Sequence, residues 1–320
     1  MKKFHTPSSV IRHTPIGHRH PGEDGHAGHG ELHLSQQVAH DDARQGNGRS
    51  RTAHSPQDGH GPHEDGAGVQ SEKEGLDKLW LQILDVSRCL GDDPLADWDK
   101  HLENLKQRRE WLTAQQFTAL EYASGKGTKL TVGLPKHHIW QGGAESTTRG
   151  FLFNANIPTE EVYSAPQADR VDGVVWSTKP LVYNGNLIED FRFTFKDGKV
   201  VDVQAAKGQE ILEDLIKMDE GACRLGEVAL VPYHSPISLT NQIFYETLFD
   251  ENAACHLALG DSYPTCLEKG PERSEEELKK AGLNDSMIHV DFMVGSPDLT
   301  ITGIRKDGAK VPVFVDGDWA

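Results

Sequence analysis

Two residues with metal-binding side chains stand two positions apart in the segment MIHVDFMVG. The apolar residues around His289 and Asp291 predict a β-strand, in which successive side chains alternate between the two faces. The imidazole and the carboxylate therefore point to one side, and Val290 points to the other side, toward a core. A nitrogen donor and an oxygen donor on one strand face are typical of a site for a divalent cation.

Other acidic and imidazole side chains lie in apolar or sharply turned segments. Glu227 interrupts the apolar strand predicted in RLGEVALVPY, where an isolated charge is costly to bury. Glu251 and His256 flank a turn in LFDENAACHLALG, between a helix predicted over 240–250 and a strand predicted over 256–260. On one continuous helix the two side chains would diverge by about 140°. The turn is therefore what can bring them together.

Two adjacent glutamates follow Pro158 in the segment NIPTEEVYSAP. In an extended chain Glu160 and Glu161 face opposite sides, so one can reach a cation while the other does something else. The residues alone do not decide which of the two binds. Tyr263, in the segment SYP, adds a phenol to the same stretch of the sequence. Buried carboxylates need compensating charge, and a divalent cation is the usual compensation.

The composition excludes several classes of protein. The 320 residues include 33 basic and 49 acidic side chains, a net charge of −16 that argues against binding to nucleic acid or to an anionic membrane. No run of 18 apolar residues predicts a membrane span, and the start has no apolar segment of a secretory signal. Four cysteines without framework spacing indicate reduced thiols. We therefore expect a cytoplasmic protein.

The first 72 residues differ in composition from the rest of the chain. They hold 11 of the 17 histidines and hardly any large apolar residue. Such a segment buries too little surface to offset its ordering entropy, so residues 1–72 are predicted to be a disordered His-rich tail. The tail could also bind metal loosely, which leaves metal storage or delivery as a minor alternative for the chain.

The sequence predicts a first helix where order begins near residue 72, and further helices over residues 94–120, 209–218 and 271–284. Leu76 and Trp80 are expected on the buried face of the first helix, and Leu95 on that of the second. Asp93 and Pro94 are the predicted N-cap and first residue of the second helix. In the last helix, we expect Ser274 and Glu277 to form a capping box.

Strands dominate the second half of the chain. Residues 127–135 predict a first strand, and the alternation from residue 151 onward predicts an antiparallel meander that ends in a hairpin around Asp307–Gly308. The predicted fold class is α/β (α+β). The family resemblance given below implies a partial N-terminal α/β domain over 73–150, followed by a mixed α+β domain over 151–320 that is rich in antiparallel strands.

From Glu72 to Ala320 the chain resembles the thermophilic-type metallo-aminopeptidases, the aminopeptidase T and aminopeptidase S group. The segments that carry this resemblance are DDPLADWDKHLENLKQRREWL, TKLTVGLPKHHIW, NIPTEEVYSAP, RLGEVALVP, LFDENAACHLALG with SYP following, HVDFMVGSPDLTITG and VPVFVDGDWA. They occur in the order of the family, which makes their combination specific. GxSxG, P-loop, HExxH and GxGxxG motifs are absent from the sequence.

The resemblance implies a site for two divalent metal ions, Zn²⁺, Co²⁺, Mn²⁺ or Mg²⁺. The ligands that it implies are Glu161, Glu227, Glu251, His256, His289 and Asp291. It gives Tyr263 and Glu227 catalytic roles and favours Glu161 over its neighbour as the ligand. Glu160 could then act as a general base. The two cations would activate a water, and the Tyr263 hydroxyl is suited to stabilising the oxyanion.

The implied activity is hydrolysis of N-terminal residues from peptides with a free N-terminus, by a homodimer. The resemblance implies a longer N-terminal domain in the family, and the first part of that domain has no counterpart in this sequence. The His-rich tail occupies that position. We therefore expect the strands that pair with 127–134 to be absent, which would leave an exposed sheet edge. A non-catalytic, truncated relative that binds metal is the alternative function.

Overall fold

A computed structural model describes residues 72–147 and 149–320. The His-rich tail and its predicted disorder lie outside these residues. Within them, no helix is long and apolar enough to cross a bilayer. The described part combines helices with antiparallel strands, which confirms the predicted fold class.

The elements are numbered in chain order. The α-helices are α1 (Glu72–Val86), α2 (Pro94–Gln115), α3 (Gln209–Leu215), α4 (Pro236–Leu239), α5 (Thr247–Asp250) and α6 (Glu275–Lys280). Short 3₁₀ turns cover Glu251–Ala253, Pro264–Cys266 and Gly270–Glu272. The strands are β1 (Ala119–Ala123), β2 (Lys129–Gly133), β3 (Glu145–Ser146), β4 (Leu152–Phe153), β5 (Val162–Ser164), β6 (Val171–Trp176), β7 (Leu181–Tyr183), β8 (Asn186–Lys196), β9 (Lys199–Lys207), β10 (Leu225–Leu230), β11 (His256–Gly260), β12 (His289–Met293), β13 (Thr300–Ile304), β14 (Lys310–Val315) and β15 (Asp318–Trp319).

The capping predictions are confirmed. The Asp93 side chain accepts a hydrogen bond from the Ala96 N–H, and Pro94 is the first residue of α2. Ser274 and Glu277 form the capping box of α6, although this helix is shorter than the predicted range. The predicted hairpin around Asp307–Gly308 joins β13 to β14. These features depend on local residue chemistry, which the sequence displays directly.

The predicted end of α2 at residue 120 is wrong. Gln116 takes a left-handed conformation with φ 45°, and its N–H bonds back to the Thr113 carbonyl, which closes the helix. The chain then enters β1, which pairs with both β2 and β13. Pairing with distant strands therefore places residues 119 and 120 in β1, although their local pattern continues the helix.

The apolar stripes of the first two helices are only partly buried. Leu76 and Trp80 of α1 are exposed, as is Leu95 at 79%, so the prediction that they face the core is wrong. Leu105 and Leu112 of α2 are buried as expected. Among the described residues, the body of α1 has little to pack against, and its apolar face remains on the surface.

One antiparallel sheet runs through most of the described chain. Its strand order is β15-β14-β13-β1-β2-β6-β8-β7, with β9 paired to β8. Because β2 lies between β1 and β6, the expected exposed edge at residues 127–134 is wrong. The strands on either side of residue 150 share this sheet, and the division into domains at that residue stays a proposal.

A second sheet, with strand order β12-β11-β10-β5, is also antiparallel throughout. It packs on the large sheet through aromatic rings. The ring of Phe292 lies 5.1 Å from that of Phe193 and 6.0 Å from that of Phe191, measured between centroids. Val290 and Phe292 belong to this core, so the intervening side chains of β12 face away from it.

The helix predicted over 240–250 is wrong for most of its length. Asn241 and Tyr245 have positive φ angles of 51° and 57°, which a helix does not tolerate. The Phe244 N–H donates to the Asp250 carboxylate over 2.8 Å, so the loop closes on its own end. Only the short helix α5 and the 3₁₀ turn at Glu251 follow.

Gly173 lies where the backbones of β2 and β6 approach each other closely. Its φ is +121°, and a Cβ there would lie 2.1 Å from the Lys129 carbonyl oxygen. We expect Gly173→Ala to lower the free energy of unfolding by about 3 kcal/mol in urea titrations, through backbone strain and a clash.

Gly185→Ala is the matched control, because Gly185 has φ +74° and open space at its Cβ position. Its cost should be about 1 kcal/mol, from the left-handed backbone alone. Equal losses for the two variants would show that β2 and β6 are not in close contact at Gly173.

Candidate metal centre

One face of the second sheet carries the predicted ligands. Asp291 on β12 is opposite Ala258 on β11, which is in turn opposite Glu227 on β10. Residues opposite one another on neighbouring strands project from the same face. The methyl group of Ala258 therefore separates two carboxylates and leaves an open space between them.

The same face supplies the two histidines. His256 lies two positions before Ala258 on β11, and His289 lies two positions before Asp291 on β12, opposite Gly260. Two-residue spacing keeps each imidazole on the face that bears the carboxylates. Small residues thus form the floor of a pocket whose walls are acidic and imidazole side chains.

A β-bulge directs Glu227 into this pocket. The register of β10 against β11 shifts between Leu225 and Glu227, so that Leu225 faces the core while Glu227 faces the opposite side. In a regular strand these two residues would share a face. Gly226 permits the shift, because a Cβ there would lie 2.1 Å from the Asp261 carbonyl oxygen. The bulge explains an acidic residue in an otherwise apolar strand.

The imidazoles contact the carboxylates through their Nε2 atoms. His256 Nε2 lies 3.0 Å from a Glu161 carboxylate oxygen. His289 Nε2 lies 3.0 Å from Glu227 and 3.4 Å from Asp291. Each Nδ1 is held by a backbone carbonyl, at 3.1 Å from Ala254 for His256 and 2.9 Å from Asp261 for His289. An imidazole that donates from Nδ1 keeps the Nε2 lone pair for a metal ion.

The donor atoms form two groups that share one residue. Glu161, Glu227 and His256 bring their ligand atoms within 4.8 Å of one another, as do Glu227, His289 and Asp291. Glu251 lines the same pocket, where its buried Oε1 has no hydrogen-bond partner. An unsatisfied buried carboxylate oxygen is costly, and a cation would satisfy it. The donor set therefore fits divalent metal ions.

Burial and crowding disfavour the ionised forms of two of the carboxylates, Glu227 and Glu251. Burial raises the pKa of Glu227 to about 7, against the hydrogen bond from His289 and with the added effect of the Glu161 charge. Burial also raises the pKa of Glu251 well above its ordinary value, and Glu161 and Asp291 add to that rise. Both raised pKa values indicate that the ionised carboxylates lack compensating positive charge in the pocket.

The histidines respond in the opposite direction. Burial alone would lower the pKa of His256, but the hydrogen bond and the charge of Glu161 outweigh it and raise the pKa to about 10. The pKa of His289 is raised well above its ordinary value in the same way, by Asp291 and Glu227. Bound metal would displace these protons, because ligation requires neutral imidazole.

Tyr263 lies at the edge of the ligand cluster. Its hydroxyl is 3.5 Å from His289 Nε2, and the two rings are 5.0 Å apart between centroids. Burial, with the charges of the surrounding carboxylates, raises the pKa of the Tyr263 phenol far above its ordinary value. The hydroxyl therefore stays protonated and can donate a hydrogen bond.

Glu160 has a different environment from its neighbour. Its carboxylate accepts hydrogen bonds from both terminal nitrogens of Arg88, and its backbone N–H donates to the Asn252 side-chain oxygen over 2.7 Å. Glu160 is buried but does not line the pocket, so the arrangement gives no support to a general-base role. Glu161 does line it, as the predicted ligand should.

Sequence reasoning missed one aromatic residue of the pocket. Tyr163 lies two positions after Glu161, lines the pocket, and meets the Tyr263 ring edge-on at 5.9 Å between centroids. The signal was the Glu161-Val-Tyr163 alternation, of the same kind as His289-Val-Asp291. Six predicted ligands and the predicted tyrosine thus lie around one pocket, and their binding of metal stays a prediction.

Residues 62–319 match the thermophilic metalloprotease (M29) family, to which the chain belongs. Aminopeptidase 2 of Geobacillus stearothermophilus is 53% identical over 249 residues, which are 78% of this chain and 60% of that protein. Aminopeptidase AmpS of Bacillus subtilis is 50% identical over 251 residues, 78% of this chain and 61% of that protein. The family resemblance seen in the sequence is confirmed.

The fold comparison agrees with the sequence comparison. The structure of wild-type AmpT from Thermus thermophilus matches with a TM-score of 0.73 at 43% identity, covering 78% of this chain and 60% of that chain. The present chain therefore spans about 60% of the length of the relatives it matches. Membership of the family implies the use of divalent metal ions.

Glu227→Gln should separate the effect of the Glu227 charge on the stability of the metal-free protein from its contribution to metal binding. At pH 8, above the pKa of about 7 for Glu227, the neutral amide removes a destabilising charge, and the unfolding temperature of chelator-treated protein should rise by about 3 °C. Zn²⁺ should raise the unfolding temperature of the wild type, and the variant should keep less than roughly half of that rise.

Glu210→Gln makes the same change of charge at an exposed residue of α3. Its unfolding temperature, with and without Zn²⁺, should stay within about 1 °C of the wild type. If Glu227→Gln kept the full effect of Zn²⁺, Glu227 would not be a shared ligand.

Proposed function

We propose that the protein is a metal-dependent aminopeptidase that removes N-terminal residues from peptides. The observation that carries this proposal is the convergence of four carboxylates and two imidazoles on one buried pocket, in a chain of the thermophilic metalloprotease family. The relatives named aminopeptidases support the choice of reaction. Because the chain spans about 60% of their length, its own activity is a proposal.

The charge of the donor set favours two divalent ions. Four carboxylates, Glu161, Glu227, Glu251 and Asp291, carry four negative charges when ionised, which two divalent cations would balance. The two donor groups that share Glu227 would hold one ion each. Mixed carboxylate and imidazole donors suit Zn²⁺, Co²⁺, Mn²⁺ or Mg²⁺. When bound, such a pair polarises a carbonyl group, lowers the pKa of a bound water and can hold an α-amine.

The residues of the chain supply the remaining functions. His256 and His289 are held at Nδ1 by backbone carbonyls, so their Nε2 atoms are fixed before any ligand enters. The Tyr263 hydroxyl, kept protonated by its surroundings, can donate to the oxyanion that develops on the scissile carbonyl. Glu227 would serve as a ligand of the metal ions and would also take part in catalysis. Burial of the pocket strengthens each of these interactions.

The assembly and location of the protein belong to the same proposal. A homodimer is supported by the exposed apolar residues of α1, which include Leu76 and Trp80. A cytoplasmic location is supported by the four cysteines, which are all free thiols.

Hydrolysis of leucyl-p-nitroanilide tests the proposed function. The purified full chain should release p-nitroaniline and lose this activity on chelation. The activity should return with Co²⁺ or Zn²⁺, because the ligand side chains remain in place after the ion is removed. Metal content should be measured on the same samples. Metal binding without turnover would contradict the aminopeptidase and favour the non-catalytic metal-binding alternative.

Tyr263→Phe tests the oxyanion role. Loss of one hydrogen-bond donor should lower kcat by about 10²- to 10³-fold, while the metal content per chain stays unchanged, since the phenol is not a predicted ligand. Steady-state kinetics and elemental analysis provide the two readouts.

The control is Tyr122→Phe, which removes a buried hydroxyl without a hydrogen-bond partner in the core of the large sheet. This variant should keep wild-type kcat within about 3-fold. A Tyr263→Phe variant with unaltered kcat would rule out the assigned role.

A further inference from the structure

Two of the six predicted ligands lie outside the paired strands of the second sheet. Glu161 immediately precedes β5, and Glu251 begins the 3₁₀ turn that leads toward β11. The other four ligands lie on β10, β11 or β12, where hydrogen bonding to a neighbouring strand fixes the backbone. Glu161 and Glu251 therefore need other contacts to hold their carboxylates in the pocket.

Glu160 makes contacts that hold both of these segments. Its buried carboxylate accepts hydrogen bonds from the two terminal nitrogens of Arg88, over 2.8 Å from Nη2. Its backbone N–H donates to the side-chain oxygen of Asn252 over 2.7 Å. Glu160 precedes one of the two ligands in the chain and Asn252 follows the other, so this hydrogen bond ties the two ligand segments together.

Arg88 has a backbone conformation in which an arginine is unusual. It follows α1 with φ 57°, in the left-handed region where helices commonly end on glycine. The Arg88 N–H bonds to the Asp85 carbonyl and the Cys89 N–H to the Leu84 carbonyl, which is the hydrogen-bond pattern of such an ending. A residue with a side chain is disfavoured there. In this protein the side chain at that position is the one that reaches Glu160.

Helix α2 holds both sides of this ion pair. The Trp98 Nε1–H donates to the Ser87 carbonyl over 3.0 Å, and the Arg88 guanidinium lies 5.8 Å from the centroid of the Trp98 ring. On the other side, His101 Nε2 lies 2.6 Å from the carbonyl oxygen of Thr159, the residue before the glutamate. Both partners of the ion pair are thus attached to one long helix, which restricts their movement.

We propose that Arg88 and Glu160 position the ligand Glu161, and so set the affinity of the metal ion that this ligand binds. The proposal rests on the metal centre of the proposed function. Only Glu161 of the two adjacent glutamates lines the pocket, so their side chains leave the backbone on different sides. A Glu160 carboxylate that is held outside the pocket therefore turns its neighbour into the pocket. Loss of a contact that orients a metal ligand typically costs about 10- to 100-fold in metal affinity.

The two donor groups should differ in their dependence on this ion pair. Glu161 belongs to the first group, with Glu227 and His256. The second group consists of residues on paired strands, Glu227, His289 and Asp291. Loss of the ion pair should therefore weaken the binding of the ion in the first group and leave the ion in the second group bound as before.

The Zn²⁺ affinity of the full chain, measured in chelator-buffered Zn²⁺, tests the proposal without an assay of activity. The double variant Arg88→Gly/Glu160→Gln removes the ion pair, leaves no unpaired buried charge and relieves the left-handed backbone. Its Zn²⁺ dissociation constant should rise at least about 10-fold for one ion and change less than about 3-fold for the other. Histidines outside the described residues contribute equally to wild type and variant, so the comparison cancels them.

Anomalous diffraction identifies which ion is weakened. Crystals of the double variant grown at limiting Zn²⁺ should show the weaker peak beside Glu161 and His256. A structural ion pair would lower the unfolding temperature of the chelator-treated protein without selecting between the two positions. A weaker peak beside His289 and Asp291 would contradict the assignment.

Arg88→Lys keeps the test decisive if the double variant does not fold. Lysine retains the positive charge but lacks the rigid fork of two donors, so the affinity for the first ion should fall about 5-fold. Arg192→Lys is the matched control. Arg192 is 18% exposed, as Arg88 is, pairs with Asp202 over 3.0 Å and lies 5.8 Å from the centroid of the Trp176 ring. Both dissociation constants should stay within about 2-fold of the wild type in this control.

The outcomes separate this proposal from the proposed function. A wild-type chain that does not hold two Zn²⁺ ions in the pocket overturns both. Two bound ions without turnover of leucyl-p-nitroanilide contradict the aminopeptidase alone. Unaltered dissociation constants in the folded double variant, or in Arg88→Lys if the former does not fold, overturn the positioning role alone. Equal weakening of both ions would also overturn it, because the ion pair would then act on the fold as a whole.

Discussion

The structure depends on the confinement of like charges. Glu161, Glu227, Glu251 and Asp291 are all buried around one pocket, with two imidazoles as their nearest positive partners. Carboxylates so placed repel one another and lose their hydration, which is why the pKa values of Glu227 and Glu251 rise. Two imidazolium groups cannot balance four ionised carboxylates, so bound cations would stabilise the ionised form of the pocket. Without bound cations, such a cluster of buried carboxylates lowers the stability of the fold.

The rest of the chain keeps these groups in place. The aromatic contact between Phe292 and Phe193 fixes one face of β12 against the large sheet, and so fixes the opposite face toward the pocket. The bulge at Gly226 turns Glu227 to the same side. Ala258 occupies the position between the carboxylates where a larger side chain would fill the open space. Packing on one side of the second sheet thus determines the chemistry on the other.

The sequence predicted those features that depend on local pattern. Period-two alternation placed His289 and Asp291 together, and turn and capping residues located the hairpin at Asp307–Gly308 and the capping box of α6. The family resemblance chose Glu161 over Glu160, a choice that the alternation left open. The structure brings all six predicted ligands to one pocket, while their binding of metal stays a prediction.

The features that were missed depend on distant partners. The first two residues of β1, Ala119 and Leu120, were predicted as the end of a helix because the pairing of β1 with β13 involves residues far along the chain. The loop before Glu251 was predicted as a helix, although hydrogen bonding to Asp250 selects a turn. Burial of Leu76 and Trp80 was expected from their spacing, but spacing indicates a helix face and not what covers it. Tyr163 was overlooked because a tyrosine does not signal a site unless the neighbouring strand positions are known.

Anomalous diffraction from crystals of the full chain grown with Zn²⁺ would locate any bound ions. We expect two peaks inside the pocket, one beside Glu161 and His256 and one beside His289 and Asp291, each about 2.0–2.3 Å from its ligand atoms and both next to Glu227. A single peak, or peaks only outside the pocket, would contradict this expectation.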